Sequence, residues 1–125
     1  MKDHILISWY SVSCLFESIQ IESVRHNNID KNKADLRLFE EKIILVKASD
    51  EHEAYEIAGK YARDDEFEYL NGFGEKVRVR FVTTLHAFEI FDQELGHGVE
   101  VYSRFIHATN QDTSGDIVRR YFPMD

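Results

Sequence analysis

The chain reads as a single α+β domain over residues 1–125, built on one antiparallel sheet of about five strands in the order β-β-α-β-β-β. One main helix is expected on one face of that sheet, with a short C-terminal helix after it. Three observations lead there. Several runs of β-branched and aromatic residues alternate at period two, one stretch repeats at helical period, and an Asn71-Gly72 turn joins two of the alternating runs. At 125 residues, with 43% hydrophobic residues including 9 Phe, 6 Tyr and 1 Trp, the chain has bulk for one core and too little length for two.

The first strand is expected in the run Ile5 to Phe16, where Tyr10, Val12, Cys14 and Phe16 share a face. From Arg25 to Asp35 periodicity ends and Asn, Asp and Lys accumulate, residues that bond to their own backbone, so a mobile loop is expected. Leu38 to Ala48 is the second strand, with Phe39, Ile43 and Leu45 on one face and Ile44 and Val46 on the other. Asp50 and Glu53 then form a capping box, Asp50 receiving an amide proton and Glu53 reaching back. In the helix that follows, Ala54, Ile57, Ala58, Tyr61 and Ala62 make one apolar stripe, while Glu53, Glu56, Lys60 and Arg63 point away from it.

Phe67 to Leu70 and Lys76 to Phe91 flank Asn71-Gly72-Phe73-Gly74-Glu75, where Asn-Gly supplies the positive φ of a hairpin turn. Val77, Val79, Phe81 and Leu85 give the long strand a buried face, and a bend is expected near Thr83-Thr84. Arg78 and Arg80 alternate toward solvent, opposite Glu68 and Glu66 if the hairpin centres near Phe73. A last strand, Val99 to Ala108, follows Gly96-His97-Gly98, and Asp112 to Gly115 opens a helix over Asp116 to Tyr121 that Pro123 ends.

The formal net charge of −8 argues against nucleic acid as a direct partner, because phosphate binding runs on Lys and Arg. The lone Cys14 makes no internal disulfide, as suits a cytoplasmic chain, and Ile5 to Ile7 is too short an apolar run for a signal or membrane segment. The six histidines, His4, His26, His52, His86, His97 and His107, lack metal-ligand spacing, although His86 and His107 fall on neighbouring expected strands. Cys14 sits mid-strand among apolar residues, where burial suits it better than nucleophilic chemistry. No Gly-x-Ser-x-Gly elbow occurs, Gly72 to Glu75 precedes no helix that would make it a phosphate loop, and adjacent Ser103 and Arg104 would face opposite sides of a strand. Neither a catalytic set nor a cofactor or metal site is therefore expected.

Charge is distributed unevenly. Asp50, Glu51, Glu53, Glu56, Asp64, Asp65, Glu66 and Glu68 stand against Lys60 and Arg63 alone, a local balance of −6 within 19 residues. One account is a solvated helix face that maintains solubility. The other is a docking surface whose field speeds association with a basic partner, with Asp50, Glu51, Glu53, Glu56, Asp64 and Asp65 as its contact residues.

Several fragments carry a resemblance: Trp9-Tyr10-Ser11 with Leu15-Phe16-Glu17, Leu38-Phe39-Glu40-Glu41 with Ile43 to Ala48, Tyr69 and Asn71 with Gly74 to Val77, and Glu100 to Ser103. Over Ser8 to Ile106 the chain resembles a family of small bacterial proteins known as domain of unknown function 4288. The resemblance implies a short stand-alone protein with no assigned activity. The polar insertion Arg25 to Asp35 and the tail after Ala108 depart from the pattern.

By analogy with small acidic bacterial domains that lack a catalytic set, the expected function is non-enzymatic protein binding. Its most concrete form is an immunity protein that neutralises a toxin, a basic nuclease for example, by occupying the groove where nucleic-acid phosphates lie. A rival expectation is a small enzyme or ligand-binding domain with a site near His86, Arg104 and His107, and a third is a homo-oligomeric module that pairs through a strand edge.

Overall fold

A computed structural model describes residues 6–23, 37–92 and 94–124. The expected loop Arg25 to Asp35 lies outside these residues, as do His4 and His26. The elements are β1 (Ser8–Ser23), β2 (Leu38–Ala48), α1 (Glu51–Asp64), β3 (Phe67–Leu70), β4 (Glu75–Ile90) and α2 (Ser114–Tyr121). The four strands form one antiparallel sheet in the order β2-β1-β4-β3, with α1 packed on one face, so the fold is α+β.

β1 provides the middle of the core because its even-numbered residues from Tyr10 to Phe16 turn toward α1. Tyr10, Val12, Cys14 and Phe16 are buried there with Val46 and Ala48 of β2 and Val79 and Ala87 of β4. Opposite them α1 buries Ala54, Ala58, Gly59 and Ala62, small residues that let the helix backbone lie close to the sheet. Tyr61 departs from the expected stripe, being 61% exposed toward the outer side of β2.

The helix begins as its sequence dictates. Asp50 Oδ1 accepts from Glu53 N–H at 2.8 Å, and Glu53 Oε1 reaches back past the cap to accept from Ser49 N–H at 2.6 Å and Ser49 Oγ at 2.8 Å.

Two register shifts lie in β4 opposite β1, between Ser13 and Cys14 and between Leu15 and Phe16. They leave Leu85 and Val82 unpaired and flank Thr83-Thr84, where the bend is expected. Each extra residue changes the phase of the strand, so Leu85, expected inside, is 49% exposed; the two changes cancel by Ala87, which is buried against Val12.

Among the described residues four strands are present rather than five. Val99 to Ala108 forms no ladder among the described residues. Its odd positions mix Val101 and Phe105 with Ser103 and His107, and its even positions mix Tyr102 and Ile106 with Glu100 and Arg104, so neither face specifies a register. The segment instead crosses the sheet face opposite α1. Ser11 Oγ donates to the Val101 carbonyl at 2.5 Å, and the Tyr102 ring meets those of His86 and Phe88 at 5.8 and 6.0 Å. Ile90, paired with Trp9 on that face, is buried apart from the cluster under α1.

α2 starts two residues earlier than expected, with Thr113 and Asp116 completing a capping box. None of its residues is buried, and among the described residues no strand and no other helix packs on it.

Candidate functional site

The six carboxylates expected to form one contact face do not gather: three stand at one end of α1, two at the other, and Glu56 between them. Asp50, Glu51 and Glu53 stand at the N-terminal end of α1 and Asp64 and Asp65 at its C-terminal end, about 20 Å away at 1.5 Å per residue. Asp65 accepts from Lys42 Nζ at 3.2 Å, and Glu56 lies 3.5 Å from His52 Nε2. Lys60 and Arg63 interrupt the exposed face between the groups. Of the other two acidic residues in this region, Glu68 pairs with Arg78 at 3.2 Å as expected. Glu66 does not pair with Arg80, because the ladder begins at Phe67; it accepts from the Phe81 amide at 2.9 Å instead.

Negative potential therefore concentrates where α1 begins. Asp50, Glu51 and Glu53 carry no ion pair with any cation among the described residues. Amide and hydroxyl donors from Ser49 hold the Glu53 carboxyl below its ordinary range, so it remains charged in mildly acidic solution. Glu89 joins this group from β4, where the register sets it against Tyr10, and it accepts from Ser8 Oγ at 2.8 Å. The Tyr10 phenol reports the field: its pKa is raised, first by burial and then by Glu89, Asp50 and Glu51.

The same end of the sheet exposes apolar side chains. Leu6 and Ile7 precede Ser8 and are 78% and 61% exposed, and Phe91, two residues beyond Glu89, is 83% exposed. Sequence reasoning misses this part of the site because Glu89 and Phe91 enter it only through the pairing of Trp9 with Ile90 and Tyr10 with Glu89.

His86, Arg104 and His107 do not share a hydrogen bond among the described residues. His86 lies edge-on to Tyr102, whereas the Arg104 guanidinium sits 5.9 and 5.7 Å from the ring centres of Tyr121 and Phe122. Cys14 is buried, and burial pushes its thiol pKa up, away from the thiolate that a nucleophile needs. No group of three or more His, Cys, Asp or Glu side chains among the described residues is placed to hold a metal ion. No helix among them is long and apolar enough to cross a membrane.

Two clefts flank α1. One of about 440 Å³ separates it from the bulged part of β4, between Tyr55, Gly59, Lys60 and Arg63 on the helix and Phe81 to Thr84 on the strand. The Arg63 guanidinium folds back over Gly59 to lie 5.4 Å from the Phe81 ring centre. The other cleft, about 700 Å³, follows the outer edge of β2 and is lined mainly by Trp9, Ile44, Val46, Ile57 and Tyr61.

A family profile described as "Domain of unknown function (DUF4288)" matches residues 9–103. Comparison with curated proteins and with solved structures gives no match.

Proposed function

For this chain, which belongs to the DUF4288 family, we propose non-enzymatic binding of a basic protein through the acidic end of α1, as an immunity protein does when it neutralises a toxin. The observation that carries this reading is the meeting of Asp50, Glu51, Glu53 and Glu89 with exposed Leu6, Ile7 and Phe91 at one end of the sheet. Carboxylates without cation partners steer a basic surface into place, and apolar anchors beside them supply the desolvated contacts that hold it. Asp65, already paired with Lys42, falls outside this patch, and Asp64 stands at the far end of the helix.

Affinity capture from the cell that makes this protein tests the reading. The wild-type chain is expected to retain a basic protein that a Glu51→Lys/Phe91→Ala variant releases. Equal retention by both contradicts the patch, and retention of acidic proteins alone contradicts the charge logic.

A second reading, ligand binding, draws on the 440 Å³ cleft. Lys60 and Arg63 line it together with Glu56, and neither cation lies within 4 Å of a carboxylate among the described residues, so the two cations together can take up a small anion against the one carboxylate. Titration with inorganic phosphate, followed by amide shifts at Thr83 and Thr84, tests it. Shifts that vanish in Lys60→Gln/Arg63→Gln support ligand binding, and unchanged spectra remove it.

A further inference from the structure

Among the described residues, the two edges of the sheet differ in a way that points to a partner for one of them. A free edge offers unpaired N–H and C=O groups, and soluble proteins blunt it with short strands, proline, bulges or lysine. β3 at one edge is four residues long. β2 at the other is eleven residues long, contains no proline, pairs with β1 in unbroken register, and of those devices carries only the lysines Lys42 and Lys47. It leaves Leu38, Phe39, Ile43 and Leu45 between 42% and 65% exposed, and the 700 Å³ cleft runs beside it.

We propose that β2 pairs antiparallel with β2 of a second copy of this chain, about a two-fold axis through Ile44, joining two four-stranded sheets into one. Charge selects both the occupant and the register. With Ile44 opposite itself, Glu41 of each copy faces Lys47 of the other, and Ile43 faces Leu45, so two ion pairs and two apolar pairs form on one face. Centring on Ile43 sets Glu41 against Leu45 and Lys47 against Phe39; centring on Leu45 sets them against Ser49 and Ile43. Either shift loses both ion pairs.

The two charged side chains are already held on that face. Glu41 Oε2 accepts from Ser13 Oγ, and Lys47 Nζ sits 4.9 Å from the Trp9 ring centre. An unrelated extended segment would not supply this reciprocal pattern, whereas a second copy does.

Helix spacing agrees. The two β1 strands would lie three strand spacings apart, about 14 Å. α1 packs across β1 onto both of its neighbours, and helices are about 10 Å across, so a gap of about 4 Å separates the two copies of α1. Ile57 and Tyr61 line the cleft on that side and would border the gap.

Sedimentation across a concentration series tests the pairing. The wild-type chain is expected to dimerise, and Glu41→Lys and Lys47→Glu are each expected to weaken the dimer about tenfold through two like-charge oppositions. An equimolar mixture of the two variants should regain the dimer, because both lysines of one variant then face both glutamates of the other. A wild-type monomer at every concentration, a dimer indifferent to both substitutions, or no recovery on mixing overturns the proposal.

Discussion

Arg80 grips Glu17 across the sheet face opposite α1, donating to Glu17 Oε1 through Nε at 3.0 Å and Nη2 at 2.8 Å. Glu17 has a side chain only 6% exposed, and Arg37 donates to its second oxygen. A carboxylate covered this far is retained as an ion because both oxygens are satisfied by guanidinium groups. The pairing replaces the Arg80–Glu66 contact expected from hairpin geometry, since the Glu17–Arg80 register belongs to the central β1–β4 pair.

Stability should therefore depend on pH through Glu17. Its pKa is lowered, chiefly by the Arg80 hydrogen bonds and then by Arg37. Because the folded value lies below the unfolded one, about 4.3, the contribution is complete above that value and is lost as pH falls through the folded value. Urea midpoints measured at pH 7 and pH 3 should show Glu17→Gln well below wild type at the higher pH, with the gap narrowing at the lower. A gap independent of pH would remove Glu17 as the source.

Close approach of α1 to the sheet rests on its alanines. Ala58 is fully buried against the cluster containing Val12 and Cys14, so Ala58→Leu should cost about 1–3 kcal/mol by overpacking. Phe16, also fully buried and 5.8 Å from the Phe81 ring, should cost about 3–5 kcal/mol when replaced by Ala. Chemical denaturation measures both.

The two helix caps should behave differently. Asp50→Ala removes the cap of a helix built into the core and is expected to lower global stability by about 1 kcal/mol. Thr113→Ala removes the cap of α2, which buries nothing, so hydrogen exchange in Ser114–Tyr121 should accelerate while the global unfolding midpoint stays fixed. A fall in the global midpoint for Thr113→Ala would mean that α2 is coupled to the core.

Particular residues show what the sequence can and cannot reveal. β1, β2 and the existence of the Asn71 hairpin are legible from alternation and turn residues, but the positive φ expected of Asn71-Gly72 falls at Gly74 instead, at 77°, because Asn71 Oδ1 closes the turn by accepting from the Phe73 and Glu75 amides. Leu85 is misplaced by periodicity because a bulge shifts the phase of alternation without any mark in composition. Val99 to Ala108 resembles a strand in β-propensity but lacks a consistent face. For the site, Asp50, Glu51 and Glu53 are visible as a local run of charge, whereas Glu89 and Phe91 join them only through cross-strand pairing. The separation of Asp64 and Asp65 from that group follows from helix length, and the Lys42 partner of Asp65 from the packing of α1 on β2.

The most direct test of the account is the association rate with the captured basic protein, followed against ionic strength for the wild-type chain and for Glu51→Lys/Glu89→Lys. The account predicts that the wild-type rate falls steeply with salt, and that the variant associates about tenfold more slowly with a flatter salt dependence. Identical rates and identical salt dependence for the two chains would contradict it.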